Sequence, residues 1–286
     1  MSPGTHTTVV TVGYNSALVI GTMLRSVPAG VPVVVVDNAS TDDTVAVAQA
    51  ARPDATVIRM PENCGFGRAC NAGAADAETE FLLFLNPDAA LKPGAIDALE
   101  QAAGDTPDFA AANPMILNAK GRGRLKTSSK LRLPNGLPAP RLDAFSEMPV
   151  LSGAAFFVKT AAFQAVGGFD PGIFLYHEDH DLAVRLARTQ GRLWHVPGAV
   201  VTHIGGTGTA RSPDAARFKG YQMARSAVHV LSKEGKFAPL PRVLLAAVLG
   251  FIAPINLLSK RRRAKYVGQI QGAWSARRDT GTYQSR

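Results

Sequence analysis

The chain has 286 residues, 46% of them hydrophobic and 19% charged, a balance that suits a folded globular protein and excludes a disordered one. Its length accommodates one large domain or two small ones. The formal charge of +9 sits in one place: no acidic residue stands between Glu234 and Asp279, whereas Lys236, Arg242, Lys260, Arg261, Arg262, Arg263, Lys265, Arg277 and Arg278 are all basic. That unevenness assigns the basicity to a tail and predicts an anionic surface as the tail's partner. The two cysteines, Cys64 and Cys70, are too few and wrongly spaced for a zinc site or a disulfide framework. They read as reduced packing residues of a cytosolic protein. The N-terminus lacks a basic stretch ahead of an apolar run, so no signal peptide is expected.

Residues 8–13 form a β-branched run, which Tyr14-Asn15-Ser16 turns into a helical pattern reaching Leu24. Residues 31–36 predict a second strand, closed by Asp37-Asn38-Ala39-Ser40 and followed by a helix over 45–51. A continuous apolar strand, a polar turn and then a helix is how a parallel strand covered on both faces reads. Residues 56–59 predict a third strand, and 63–73 open a helix with glycines in its first turn. Residues 80–85 predict a fourth strand ending at Asn86-Pro87-Asp88, and Pro93 begins a helix that Gly104 closes. This alternation predicts an α/β fold with a mostly parallel central sheet.

After Asn113-Pro114 the pattern changes. Residues 116–129 read as a hairpin turning at Gly121-Arg122-Gly123, 134–140 as a proline-rich loop, and 150–159 as regular structure leading into a short helix over 160–166. Then come Gly167-Gly168-Phe169-Asp170, Phe174-Leu175-Tyr176-His177 and Glu178-Asp179-His180-Asp181, with helical character from Asp181 to a stop at Gly191. Glu178 and Asp181 share a face at the helix start, where unsatisfied N–H groups favour negative charge, and Asp181 can pair with Arg185. Asp179 points elsewhere and is left to act on something outside the helix. An N-capping acidic turn is the plain alternative. Residues 193–203 read as a strand pair about Pro197-Gly198, 205–209 as a flexible loop, and Ser212-Pro213 as the start of a helix reaching about Leu231.

Ligands of open α/β sheets bind beyond the carboxyl ends of the strands. Four polar clusters fall there: Tyr14-Asn15, Asp37-Asn38, the loop from Asn63 to Asn71, and Asn86-Pro87-Asp88. Asp37 can accept a hydrogen bond from a base or ribose. The Gly65/Gly67 turn lets backbone approach a ligand, and Arg68 can reach a diphosphate. Asp88 suits Mg²⁺ or Mn²⁺ bridging that diphosphate. The dinucleotide fingerprint and the P-loop are both missing, which argues against those enzyme classes.

In this order, Val-Thr-Val-x-Tyr-Asn-Ser, Val-Val-Asp-Asn-Ala-Ser-Thr-Asp, Asn-x-Gly-Phe-Gly-x-x-x-Asn-x-Gly, Leu-Asn-Pro-Asp, Gly-Gly-Phe-Asp and Tyr-x-Glu-Asp-x-Asp-Leu resemble the family 2 glycosyltransferases, nearest to their rhamnosyltransferase-like branch. The likeness covers about residues 7–210. It implies a GT-A fold, a nucleotide-sugar donor and an inverting mechanism. By position, Asp37 would contact the nucleobase, Asp179 would be the general base, and Asp88 with His203 would hold the metal. Tyr14, Asn15, Asn63, Gly65, Arg68, Asn86, Glu178 and Asp181 complete the expected donor site. Asn86 stands where the family often has a first Asp, which leaves one charge fewer on the metal. The wall facing the sugar is expected from residues 150–157 and 174–176, whose apolar groups suit the methyl of a deoxysugar. dTDP-rhamnose is therefore the first-choice donor and a UDP-hexose the alternative; His177, His180 and His195 read as packing or surface residues.

Residues 243–258 are uncharged and almost wholly apolar, and Lys260-Arg261-Arg262-Arg263 follows them. At 1.5 Å per residue this run reaches about 24 Å, short of a bilayer core about 30 Å thick. It reads as an in-plane membrane anchor with a polybasic flank; a buried helix is the alternative. Nucleic acid is not expected as a partner. The expected organisation is a transferase domain over 1–235 and a basic amphipathic tail over 236–286, peripheral on the cytoplasmic face of the membrane. The acceptor would be lipid-linked or a polysaccharide. A non-catalytic sugar-nucleotide-binding scaffold is the competing reading, which the intact Glu178, Asp179 and Asp181 oppose.

Overall fold

The apolar runs of the N-terminal half form strands whose successive side chains enter two different cores, as a period of two requires. A computed structural model describes residues 6–129, 131, 137–205 and 212–279. They divide into two units, one of residues 6–129, 137–170 and 179–205, the other of 131, 171–178 and 212–279.

In the first unit β1 (Thr7–Gly13), α1 (Ala17–Ser26), β2 (Val33–Asp37), α2 (Thr44–Ala51), β3 (Thr56–Arg59), α3 (Phe66–Ala74) and β4 (Phe81–Leu85) alternate as expected. Then follow β5 (Ala89–Leu91), α4 (Ala95–Gly104), β6 (Phe109–Leu117), β7 (Ser146–Glu147), β8 (Ala155–Lys159), α5 (Thr160–Ala165), α6 (Glu178–Thr189) and β9 (Arg192–His203). They build one sheet in the order β3-β2-β1-β4-β8-β6-β9-β5, with β7 on β9. Strands β1 to β4 are parallel, β8 runs antiparallel between β4 and β6, and β9 is parallel to β6.

Phe81, Leu83 and Leu85 of β4 join Val9, Phe157 and residues of α1, α2 and α4 in one core. Leu82 and Phe84 join Val10, Phe156 and residues of α3, α5 and α6 in the other. The result is a sheet between two helical layers. Neither Cys64 nor Cys70 is in a disulfide.

Three expectations differ. Residues 192–203 are one strand and not a pair: the β6–β9 register jumps from Pro114↔Val196 to Met115↔Val200, so Pro197-Gly198 is a bulge. The expected hairpin is a turn closed by Asn118 N–H to the Arg122 carbonyl (3.0 Å) and a single bridge, Leu117↔Gly123. Helix α6 starts at Glu178, three residues before Asp181. Much of the proline-rich loop and of the 205–209 loop lies outside the described residues.

The second unit holds α7 (Pro213–Lys233), α8 (Pro239–Ile252), α9 (Pro254–Leu257) and α10 (Lys260–Asp279). Ser212 caps α7 by accepting from the Ala215 N–H (3.1 Å), with Pro213 as its first residue. Helices α7 and α10 meet through glycines. A Cβ at Gly220 would run into the Lys265 carbonyl, and one at Gly268 or Gly272 into the carbonyls of Arg217 or Tyr221. The expected break at residue 235 therefore falls inside this helical unit, with the basic segment folded onto α7.

Candidate active site

The C-terminal ends of β1, β2 and β4 deliver the polar clusters to one edge of the sheet, on either side of the point where strand order reverses between β1 and β4. At β1, Tyr14 is 47% exposed, and Asn15 adopts a positive φ of 50°. The Asn15 side-chain oxygen accepts from the Thr41 N–H (2.8 Å). At β2, Asp37 is buried and accepts from the Ser40 N–H (3.3 Å). Its neighbour Asn38 is buried too: it donates to the Asn63 side chain (3.0 Å) and accepts from the Cys64 N–H (3.0 Å). Asn38 thus ties the second strand end to the loop ahead of α3, a bracing role that the motif alone did not disclose. Gly65 precedes α3 at φ 88°, a conformation that favours glycine, and Asn63 accepts its N–H (3.1 Å). Arg68 is exposed in the first turn of α3.

Asn86 and Asp88 follow β4. The Asn86 N–H donates to the Ala154 carbonyl (3.0 Å), and the Asp88 carbonyl accepts from Ile204 (3.1 Å). Register between β5 and β9 then sets Ala89 opposite His203, and His203 Nε2 lies 3.0 Å from Asp88 Oδ1. Burial alone would raise the Asp88 carboxyl. The hydrogen bond and charge of His203, with the Gly205 N–H, outweigh it and leave the group below its ordinary 3.8.

Among the described residues no cluster of three metal-binding side chains occurs. The pair still fits Mg²⁺ or Mn²⁺, because such ions are held beside substrate phosphates by one or two protein groups and keep their other positions for water and phosphate oxygen. Two cis ligands at about 2.1 Å from an ion stand about 3 Å apart. Asp88 and His203 already have that spacing.

Asp179 is held from two sides. Its Oδ2 accepts from the Gly153 N–H (2.9 Å) and its Oδ1 from the His180 N–H (2.9 Å), so it is anchored and not free as expected. Asn113 fixes the other wall, donating to the carbonyls of Ser152 (2.9 Å) and Ala155 (2.6 Å) and accepting from the Ser152 N–H (2.7 Å). Gly153, next to the Ala154 that meets Asn86, thereby carries Asp179 to the same edge as the Asp88–His203 pair.

One expected donor contact is corrected. Asp181 is 2% exposed and bonded to Arg185 Nε (2.8 Å), while the same guanidinium donates to the carbonyls of Val166 (2.7 Å) and Gly168 (2.7 Å). It braces the Gly167-Gly168 turn and cannot meet a ligand. Glu178 is 8% exposed, about as much as Asp37 at 6%. Gly168 needs its φ of 67°, and a Cβ there would strike Asn71 Oδ1, which accepts the Phe169 N–H (2.8 Å). Phe169 itself is fully buried among Phe66, Phe84, Phe156 and Phe163. The 150–157 part of the expected sugar-facing wall is also corrected: Phe156 and Phe157 point into opposite cores, and only Ser152 and Gly153 of this stretch are partly exposed.

His180 is buried, with Nδ1 2.9 Å from Ser129 Oγ. Burial lowers it below its ordinary 6.5, against the opposing pull of Asp179 and with the help of Lys126. The unfolded chain therefore binds a proton below pH 6.5 that the folded chain refuses, and stability falls as pH drops through that value. Thermal melts from pH 7 to about 5 should show a smaller acid loss in His180→Gln than in the wild type. Parallel curves would remove His180 from the acid response.

Glycosyl transferase family 2 matches residues 8–167. The chain is 32% identical over 213 residues to an N-acetylglucosaminyl-diphospho-decaprenol L-rhamnosyltransferase of Mycobacterium tuberculosis, covering 64% of this chain and 69% of that one. It superposes on the mannosyltransferase PcManGT from Pyrobaculum calidifontis, solved with GDP-Man and Mn²⁺, with a TM-score of 0.58 at 16% identity (94% and 87% of the two chains). It also superposes on S. aureus TarS 1-349 solved with UDP-GlcNAc, with a TM-score of 0.56 at 19% identity (96% and 92%). Against a longer TarS structure it spans 39% of that chain.

Proposed function

The chain belongs to glycosyl transferase family 2, and from that premise we propose that it transfers a sugar, with inversion, from a nucleoside diphosphate to an acceptor hydroxyl at the cytoplasmic face of the cell membrane. The observation that carries this reading is the anchored Asp179 carboxylate on the same sheet edge as Asp88 and His203. Each Asp179 oxygen accepts one N–H and keeps a further lone-pair direction. Asp179 takes the acceptor O–H proton while that oxygen bonds to the anomeric carbon from the face opposite the leaving group. The bond from that carbon to the diphosphate breaks, and the nucleoside diphosphate departs with the electron pair. Asp88 and His203 would hold a divalent cation, whose chemistry when bound is to offset charge on the leaving diphosphate. Asp37, at the end of β2, accepts from the base, and Arg68 attracts the diphosphate. A carboxylate fixed in this way argues against a non-catalytic scaffold.

The donor proposed is dTDP-rhamnose and the acceptor a polyprenyl-diphosphate-linked sugar, in keeping with the name of the mycobacterial relative. The UDP-GlcNAc of the TarS structure favours a UDP-hexose as the second reading. One methyl-versus-hydroxymethyl contact discriminates by only about 1–3 kcal/mol, so the donors must compete directly. With equal dTDP-rhamnose and UDP-glucose and a lipid-linked acceptor, the product should carry rhamnose. Exclusive transfer of glucose would sink the donor assignment and leave the fold untouched.

A further inference from the structure

Helix α8 buries one side and leaves the other in water. Val243 and Ala247 lie with Ala224, Val228 and Leu231 of α7 and Ala273 and Ala276 of α10. Around the helix, Leu245, Val248, Leu249 and Ile252 recur three and four residues apart, 61%, 41%, 55% and 55% exposed. Pro254 breaks the helix after Ala253, and the same character continues through Ile255 (65%) and Leu258 (89%). Single exposed leucines need no explanation, whereas a run of apolar side chains over two successive helices marks an interaction surface.

Charge identifies what covers it. Helix α10 opens on Lys260-Arg261-Arg262-Arg263, and the first three of these are exposed. Arg262 and Arg263 donate to the carbonyls of Ile255 (3.5 Å) and Leu257 (2.8 Å), which fixes two guanidinium groups against the apolar turn. No acidic side chain lies between Glu234 and Asp279 to attract a basic partner, and a second copy would bring the same basic cluster against this one. An anionic bilayer meets both requirements, with acyl chains for the leucines and phosphates for the arginines. No helix of the described residues is long and apolar enough to cross a membrane, so the contact lies in the plane.

We infer that the outer face of α8 and α9 lies in the headgroup–acyl boundary of an anionic membrane, with Lys260, Arg261 and Arg262 on its phosphates. This stands apart from the transfer reaction, and its test reads binding alone. The full chain should float with phosphatidylcholine vesicles containing phosphatidylglycerol, and raised salt should weaken that binding. Leu249→Gln/Ile252→Gln/Leu258→Gln alters only exposed side chains, so its melting temperature should match the wild type. Its partitioning should fall about tenfold or more. Arg261→Gln/Arg262→Gln should lose roughly fivefold per residue on anionic vesicles and little on phosphatidylcholine alone. Unchanged flotation of either variant, or equal binding to neutral and anionic vesicles, would overturn the inference. So would a dimer in sedimentation equilibrium that the apolar triple variant dissociates, since a second copy would then cover the face.

Discussion

Replacing Asp179 with asparagine lowers turnover by about 10²–10⁴, the range over which a positioned base contributes. The substitution keeps the side chain's size and one of its anchors. The amide oxygen still accepts from Gly153 or from His180, but the NH₂ group cannot accept from the other. A loss of about 1 kcal/mol in stability is therefore expected alongside the kinetic effect, and melting curves separate the two. Donor affinity should hardly change, because the base faces the acceptor hydroxyl. The measurement is single-turnover transfer with saturating donor, together with calorimetric binding of the nucleotide sugar. A variant retaining more than about a tenth of the wild-type rate would return Asp179 to a capping role, since base catalysis is worth at least about a hundredfold.

Chelation has the other large effect. EDTA should abolish transfer, and Mg²⁺ or Mn²⁺ should restore it, because the proposed metal site joins one carboxylate, Asp88, to one imidazole, His203. Asp88→Asn should weaken restoration most, since Asn86 already supplies no charge beside it. Full activity after exhaustive chelation would recast Asp88 as a hydrogen-bonding residue.

Much of this was legible from residue order because both signals involved are local. Alternating apolar strands and glycine-punctuated helices marked the parallel half of the sheet, and polar turns marked where its strands end. What stayed illegible depends on partners distant in sequence. Pro197-Gly198 looks like a turn until β6 is seen to run past it, when it becomes a bulge. Asn38, Asn71 and Asn113 look like ordinary turn or helix residues. Each proves to clamp backbone 26 to 98 residues away in the chain. The Asp181–Arg185 pair was itself expected from their spacing of four, but not that the Val166 and Gly168 carbonyls would complete the guanidinium's contacts and leave the carboxylate buried. The sign of a motif residue's contribution was readable, but not the direction in which its side chain points.

The Asp88–His203 pair spans 115 residues of chain. Synthesis at about 5–20 residues per second would deliver the histidine roughly 6–23 s after the aspartate leaves the peptidyl-transferase centre. For that interval β1 to β4 can pair, while the strand that completes the site does not yet exist. A fragment stopped at residue 167, where the family match ends, lacks both Asp179 and His203. The nascent protein would thus pair β1 to β4 early, whereas the Asp88–His203 contact and the core residues of α6 and β9 arrive only late.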